Sequence, residues 1–269
     1  MKQFLLIIFP LIALCSCNSD QSGQNQKRLN QSPALIQQFK PVINGVWVKK
    51  DYIKKVKKSK SPLAAVEKGK GITAMYIDTA KLKGSSISIP VIWNNHEGKN
   101  LTLKFEPGRN TTTIVLGDDE LSYKIKNNDT TLIIYNYNPR TNETNSAQYI
   151  RAADNKQMNN PSYGMTYMIN EAILSGTYEG KDANGKPIKA TFYADGKVTG
   201  LDRLNTYLVQ NDMVLNPDRS HDEIIFNPDS KEQKSYSFII HKKTLNLYDD
   251  SERIQSNKPS YTLKKKRGD

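Results

Sequence analysis

Cysteine is nearly absent. The chain of 269 residues contains two, Cys15 and Cys17, both in its first twenty positions. No disulfide framework and no cysteine-based metal site can organise the rest of the chain, so core packing has to hold the fold. Histidine is almost as scarce. His96, His221 and His241 stand far apart, and none sits at ligand spacing from another histidine or a cysteine, which leaves a zinc site without a motif. His221-Asp222-Glu223 reads as a surface turn. There is no Gly-x-Ser-x-Gly elbow, no phosphate-cradling loop and no dinucleotide fingerprint. Asp118-Asp119 and Asp249-Asp250 fall at turn positions, where aspartate bonds to its own backbone. Glycoside hydrolysis by two carboxylates needs no such local motif, but the sequence singles out no pair. The expectation is a non-enzyme without metal or cofactor, with a hydrolase of unrecognised carboxylates as the catalytic alternative.

Acidic residues are also in short supply. Asp and Glu number 27 against 39 Lys and Arg, a formal net charge of +12. Such a balance points to anionic partners: nucleic acid, phospholipid headgroups, lipopolysaccharide or acidic glycans. Long apolar runs are missing too. The longest, Phe4 to Leu14, is shorter than the ~20 residues that span a bilayer and fits the apolar core of a secretion signal. A secreted chain has no access to nucleic acid, so the anionic partner is expected elsewhere.

What the sequence does contain is a doubled stretch. Ser122-Tyr123 … Thr131-Leu132 … Tyr135 returns with the same spacing as Ser235-Tyr236 … Thr244-Leu245 … Tyr248. Each copy alternates apolar and polar residues, turns, and alternates again, as a hairpin with one buried face does. The copies imply two domains, which suits the length.

The apolar run ends Leu14-Cys15-Ser16-Cys17. This resembles the bacterial lipoprotein signal, in which a leucine, a variable residue and a small residue precede the lipid-carrying cysteine. The resemblance implies a signal peptide over 1–16, cleavage before Cys17, and acylation of Cys17. The enterobacterial inner-membrane retention signal, an aspartate directly following the lipid-carrying cysteine, is absent after Cys17, which favours the outer membrane. Residues 17–31 are rich in Ser, Asn and Gln and read as a flexible tether. Ser32-Pro33 then suits the start of a short helix over Ala34–Phe39.

Domain one is expected over 32–152. Gly45-Val46-Trp47 opens it, and Gly176-Thr177-Tyr178, after an apolar segment from Met165 to Leu174, opens the second copy. A short helix followed by Gly-x-Trp on a first strand resembles the lipocalin and calycin barrels. In that family the tryptophan closes the barrel base under an arginine near the last strand. The resemblance places Trp47 and Arg151 in those roles, with Tyr178 as the second-copy counterpart of Trp47. Lys264 or Lys265 would then stand in for the arginine.

Between Trp47 and Ile87 lies an insertion that copy two lacks. Tyr52, Ile53 and Val56 share one helical face, and Lys50, Lys54, Lys57 and Lys58 lie outside it. These lysines are either a solvated face or a contact for an anionic partner, and the insertion could also serve as a lid over a barrel mouth. Alternating rows come next, at Ile87, Ile89, Val91 and Trp93, and at Leu101, Leu103 and Phe105. The second row, after Gly98-Lys99, parallels Ile188, Ala190 and Phe192 after Gly185-Lys186. A linker is read at 153–162 and domain two at 163–269. Asp78-Thr79-Ala80 and Asp129-Thr130-Thr131 resemble the Asp-Ser/Thr-aliphatic O-glycan acceptor pattern of one group of Gram-negative envelope proteins, which makes Thr79 and Thr130 candidate O-glycosylation sites.

The fold expected is therefore mostly β: two tandem antiparallel lipocalin-like barrels, each preceded by a short helix, with a short helical insertion after the first strand of domain one. The organisation resembles two-domain lipocalin-like lipoproteins of Gram-negative bacteria. That implies a lipid-anchored outer-membrane protein that binds a small apolar molecule, a glycan or a protein partner. An inhibitor or envelope-complex subunit acting through the basic helix is the second reading.

Overall fold

The computed structural model describes residues 20–152, 160–212, 220–249 and 258–266. The expected signal peptide, Cys17 and most of the expected linker lie outside the described residues.

The first helix, α1 (Asp20–Ile43), is longer than expected and takes in much of the stretch read as a tether. Gln, Lys, Arg and Leu between positions 21 and 31 are sound helix formers, so polarity alone does not mark a coil. Pro33 does not open the helix but lies inside it, at the loss of one backbone hydrogen bond. Leu35, Phe39 and Ile43 recur at helical spacing and are buried in the core of the barrel that comes after.

That barrel has eight strands: β1 (Gly45–Lys49), β2 (Ile72–Ile77), β3 (Ser86–Trp93), β4 (Glu97–Pro107), β5 (Ile114–Leu116), β6 (Asp119–Lys126), β7 (Asp129–Asn138) and β8 (Glu143–Arg151). Each pairs antiparallel with the next, and β8 returns to β1, so the sheet closes and no edge is left. The sequence pattern gives no sign of β2. Its residues do not alternate, because both faces are covered. Met75 and Ile77 point into the barrel core, while Ala74 and Tyr76 meet the helix of domain two.

Domain two opens with α3 (Pro161–Ile173), so it starts slightly before the expected boundary at 163. Asn160 caps the helix by accepting from Ser162 N at 2.8 Å. Its barrel runs through β9 (Gly176–Asp182), β10 (Pro187–Phe192), β11 (Lys197–Leu201), β12 (Leu204–Val209), β13 (Asp222–Phe226), β14 (Lys234–His241), β15 (Thr244–Asp249) and β16 (Tyr261–Lys265), which closes on β9. The parallel between Leu101-Leu103-Phe105 and Ile188-Ala190-Phe192 fails. The first row lies on the fourth strand of its barrel and the second row on the second strand.

The repeated hairpin is only half in register. Leu132 faces Tyr149 and Leu245 faces Leu263 on the closing strands, so β7 and β15 correspond as the sequence implies. Across the hairpin, Leu132 faces Tyr123 but Leu245 faces Ile240, not Tyr236. The turn explains the slip. Copy one turns at Asn127-Asn128, both at positive φ (52° and 65°), a conformation asparagine tolerates. The matching positions in copy two are Ile240-His241, and a β-branched residue resists positive φ. The turn moves on to Lys242-Lys243, with Lys242 at φ 55°. The displacement is an even number of residues, so Tyr236 still points inward.

The insertion forms α2 (Lys50–Ser59) and a short 3-10 helix, Leu63–Gly69. Tyr52, Ile53 and Val56 are buried, and they join one apolar cluster with Ile169 and Ile173 of α3. The same cluster takes in the outward-facing Val46, Val48 and Ala74 of barrel one and the interior of barrel two. Gly164 marks the closest approach, since a Cβ there would lie 2.4 Å from Val46 Cγ1. Polar contacts add to this junction. Leu63 N donates to Asp222 Oδ1 at 3.0 Å, and His96 Nδ1 lies 2.7 Å from Asp212 Oδ2. Among the described residues, no helix is long and apolar enough to cross a membrane.

Candidate functional site

The strand directions give each barrel two different ends. In barrel one, α1 fills the end where β1 starts and β8 finishes. Trp47 lies there, fully buried, donating from Nε1 to Ile43 O at 2.8 Å. It stands directly opposite Arg151 in the β1–β8 ladder. The Arg151 guanidinium lies 4.3 Å from the Trp47 ring centroid, within cation–π range. It also donates to Val42 O (2.8 Å) and Asn44 O at the C-terminal end of α1. A cation there meets the negative end of the helix dipole and satisfies carbonyls the helix leaves unpaired.

Copy two repeats this arrangement with weaker parts. Tyr178 faces Lys265 in the β9–β16 ladder, with the ammonium 5.9 Å from the ring centroid. Lys265 Nζ donates to Ser175 O just past α3, and Lys60 from the end of α2 donates to Ala172 O. Gly45 and Gly176 both adopt positive φ at the start of the first strand (121° and 132°), which explains the glycine in both openings.

The opposite end of barrel one is open and forms the candidate site. A cavity of about 490 Å³ lies there, bounded by the tops of β1, β2, β3, β7 and β8 and by residues of the helical insertion. Its floor is apolar, with Ile72, Ile134 and Tyr149 nearly buried, and the Tyr149 hydroxyl donates to Ile72 O at 2.8 Å. Its lip is polar. The inward row of β7 runs Leu132, Ile134, Asn136, and that of β8 runs Asn145, Ala147, Tyr149. Asn136 and Asn145 pair directly across the ladder. Trp93 is half-buried on the wall, with Lys99 Nζ 5.1 Å from its ring centroid.

Charges at this mouth are balanced. Lys49, Lys68 and Lys70 line it with Asp51, Glu67 and Asp119. Burial holds the Lys49 ammonium below the usual lysine range; Asp51 pulls it back up and Lys68 lowers it further. Burial pushes the Asp119 carboxyl up, against a hydrogen bond from Asn136 Nδ2 at 2.6 Å that favours the charged form, and Asp118 adds to the rise. Burial also raises the Tyr149 hydroxyl. Among the described residues, no group of three His, Cys, Asp or Glu side chains is placed to hold a metal ion.

Barrel two packs a row of aromatics into its core. Tyr178, Phe192 and Tyr207 stack edge to face at 5.5 and 5.3 Å, and Phe226 meets Tyr236 at 5.5 Å. These geometries suit ring quadrupoles.

The reading of the insertion as a lid over a barrel mouth places the insertion at this end, where Lys49, Asp51, Glu67, Lys68 and Lys70 line the cavity, but the sequence marks Trp93, Asn136 and Asn145 at most as strand or turn residues. The signal is present: two inward rows that end in asparagine, where an enclosed row would stay apolar. Of the lysines singled out, Lys54, Lys57 and Lys58 are exposed on α2, while Lys50 is half-buried and donates to Gln148 Oε1 at 3.2 Å. Thr79 is 7% exposed, and both its amide and hydroxyl donate to Asn44 Oδ1. A glycan on that oxygen would break this contact. Thr130 is half-buried beside the β6–β7 turn.

No protein-family model matches the chain, and no curated protein matches it in sequence. The fold itself defines the class: two up-and-down, eight-stranded antiparallel barrels, each closed at one end by a preceding helix, in the manner of the calycins and lipocalins. Such scaffolds serve to bind ligands or partners.

Proposed function

We propose that the chain is a non-catalytic envelope lipoprotein whose first barrel binds a small glycan at its mouth. The observation that carries this reading is the cavity of about 490 Å³, with Trp93 on its wall and the paired amides Asn136 and Asn145 at its lip. Ligand sites need ~300 Å³ or more. An aromatic face flanked by planar amides and carboxylates suits a sugar, which offers C–H groups on one side and hydroxyls around its rim. A purely apolar ligand would leave those lip groups desolvated and unpaired.

Titration of neutral and acidic oligosaccharides, followed by tryptophan fluorescence and calorimetry, tests the proposal. Saturable binding is expected, and Trp93→Ala and Asn136→Ala/Asn145→Ala should each weaken it about tenfold or more. Binding of an apolar dye in place of sugars would overturn the glycan assignment. Release of reducing sugar, lost in Asp119→Asn, would overturn the non-catalytic one.

Support for the membrane anchor is the Leu14-Cys15-Ser16-Cys17 sequence. Several acyl chains on one cysteine anchor firmly, at ~0.8 kcal/mol per buried methylene. Cys17→Ala should move the protein out of the detergent phase, and unchanged mass and partitioning would refute acylation. One observation favours a second reading, a partner-binding subunit. With the apolar side of α2 covered by α3, its exposed residues are chiefly lysines, placed to meet an acidic protein.

A further inference from the structure

The helix-plugged end of each barrel carries a basic cleft, and the two clefts are equivalent in the repeat. In barrel one the cleft lies between the end of β8, the β6–β7 turn and the C-terminal end of α1. It measures about 1240 Å³ and holds Lys50, Lys124, Lys126 and Arg151 against one carboxylate, Asp129. In barrel two it lies between the end of β16, β9 and the β14–β15 turn. It measures about 430 Å³ and holds Lys243, Lys264, Lys265 and Lys266 against Glu179. Glu179 is taken up by Lys266 Nζ at 2.7 Å. Arg151 and Lys265 occupy the same register position, opposite Trp47 and Tyr178. The turns beside them differ in sequence, Asn127-Asn128 against Lys242-Lys243, yet cations gather at the same place twice.

The geometry points to a pair of anion-binding clefts, one per barrel, for a phosphate-bearing ligand. Gathering like charges on one face costs electrostatic free energy, which a bound anion recovers. The fold holds them there through Arg151 and Lys265, which are anchored on carbonyls at the ends of α1 and α3. Lys60 adds a further ammonium beside the second cleft, kept below the usual lysine range by burial and then by Lys265 and Lys57. A carboxylate compensates one such charge. A phosphate group presents several charged oxygens at once and can accept from three or four donors arranged around it. The ligand is either a lipid headgroup or a soluble phosphate, and the chemistry is shared.

Calorimetry with pyrophosphate on the full chain is the test. Two sites are expected, weakening with salt. Lys243→Gln/Lys264→Gln should remove the second cleft and Lys124→Gln/Lys126→Gln the first, each lost ammonium weakening its site about tenfold. Lys104→Gln/Lys234→Gln removes the same charge from exposed strand positions outside both clefts and should leave both sites intact. Circular dichroism of each variant confirms that it is folded. Absence of saturable binding overturns the proposal, as does a control that loses as much as the cleft variants. Sedimentation with phosphatidylglycerol-containing vesicles, compared between the Cys17→Ala chain and the same chain carrying the four cleft substitutions so that no acyl anchor contributes, separates the sources. A difference assigns a lipid headgroup, and pyrophosphate binding without a difference assigns a soluble phosphate.

Discussion

Arg151→Lys keeps the charge of the barrel-one clasp and removes its shape. The guanidinium makes two carbonyl bonds, to Val42 O and Asn44 O, while lying 4.3 Å from the Trp47 ring centroid. An ammonium can keep one carbonyl bond and a looser ring contact, as Lys265 does in the second copy. The loss is one charge-assisted bond of ~1.5 kcal/mol and part of a cation–π contact of ~0.5–2 kcal/mol. Arg151 is half-buried, so water replaces some of this and ~1–1.5 kcal/mol remains. Arg151→Ala leaves both carbonyls without this partner and should cost ~2–3 kcal/mol. At ~2–4 °C per kcal/mol for a protein of this size, Tm should fall by ~2–6 °C for lysine and ~4–12 °C for alanine. Thermal unfolding followed by circular dichroism measures both. The internal control is Lys265→Arg, which should stabilise barrel two. If Arg151→Lys melts within ~1 °C of the parent, or lysine and alanine cost the same, planar recognition of α1 is not what holds the base closed.

Gly180→Ala should cost more than ~3 kcal/mol, because the added Cβ would lie 1.9 Å from Thr262 O where β9 meets β16; a soluble variant with an unchanged melt would refute so close an approach. Asp119→Asn should be more stable than the parent at neutral pH. The folded carboxyl is raised, mainly by burial, so the parent loses stability as pH rises from below the unfolded value of ~3.9 through the folded one, and the advantage of the variant should vanish below about pH 3.5. Tm differences at the two pH values check the sign. Val56→Asp places a charge in the α2–α3 contact, where Val56 is fully buried. Calorimetry should then show the single transition of the parent split in two or lost, and a parent that already melts in two independent steps would refute the coupling.

The sequence pattern leads to the barrels through their surfaces. Strands such as β3 and β4 have one wet face, so alternation marks them, and the glycine that opens each unit marks β1 and β9. What stays hidden is covered on both sides. β2 lies between the core and α3, which erases its alternation and shifts the strand count behind the failed parallel with β10. The pattern also reads as two domains, each with its own core. It gives no sign that Val46, Val48, Tyr52 and Val56 share a buried cluster with α3 and barrel two, a contact between distant segments that no local window contains. The mouth is illegible for a related reason: Asn136 and Asn145 look like ordinary turn-flanking residues until their strands are set side by side.

The chain enters barrel one at Gly45 and leaves it at Ala152, whose N–H donates to Val46 O at 2.9 Å. Entrance and exit are therefore neighbours on the same end of the same strand pair. A tension applied between the N-terminal side of α1 and domain two does not run through the barrel wall. It peels β1 from β8, loading their ladder from the base, and once the bond from Ala152 N–H to Val46 O breaks, the first paired residues it meets are Trp47 and Arg151. Under such a load the guanidinium on the tryptophan is a mechanical rivet, and the mouth beyond it is shielded from strain until that rivet fails.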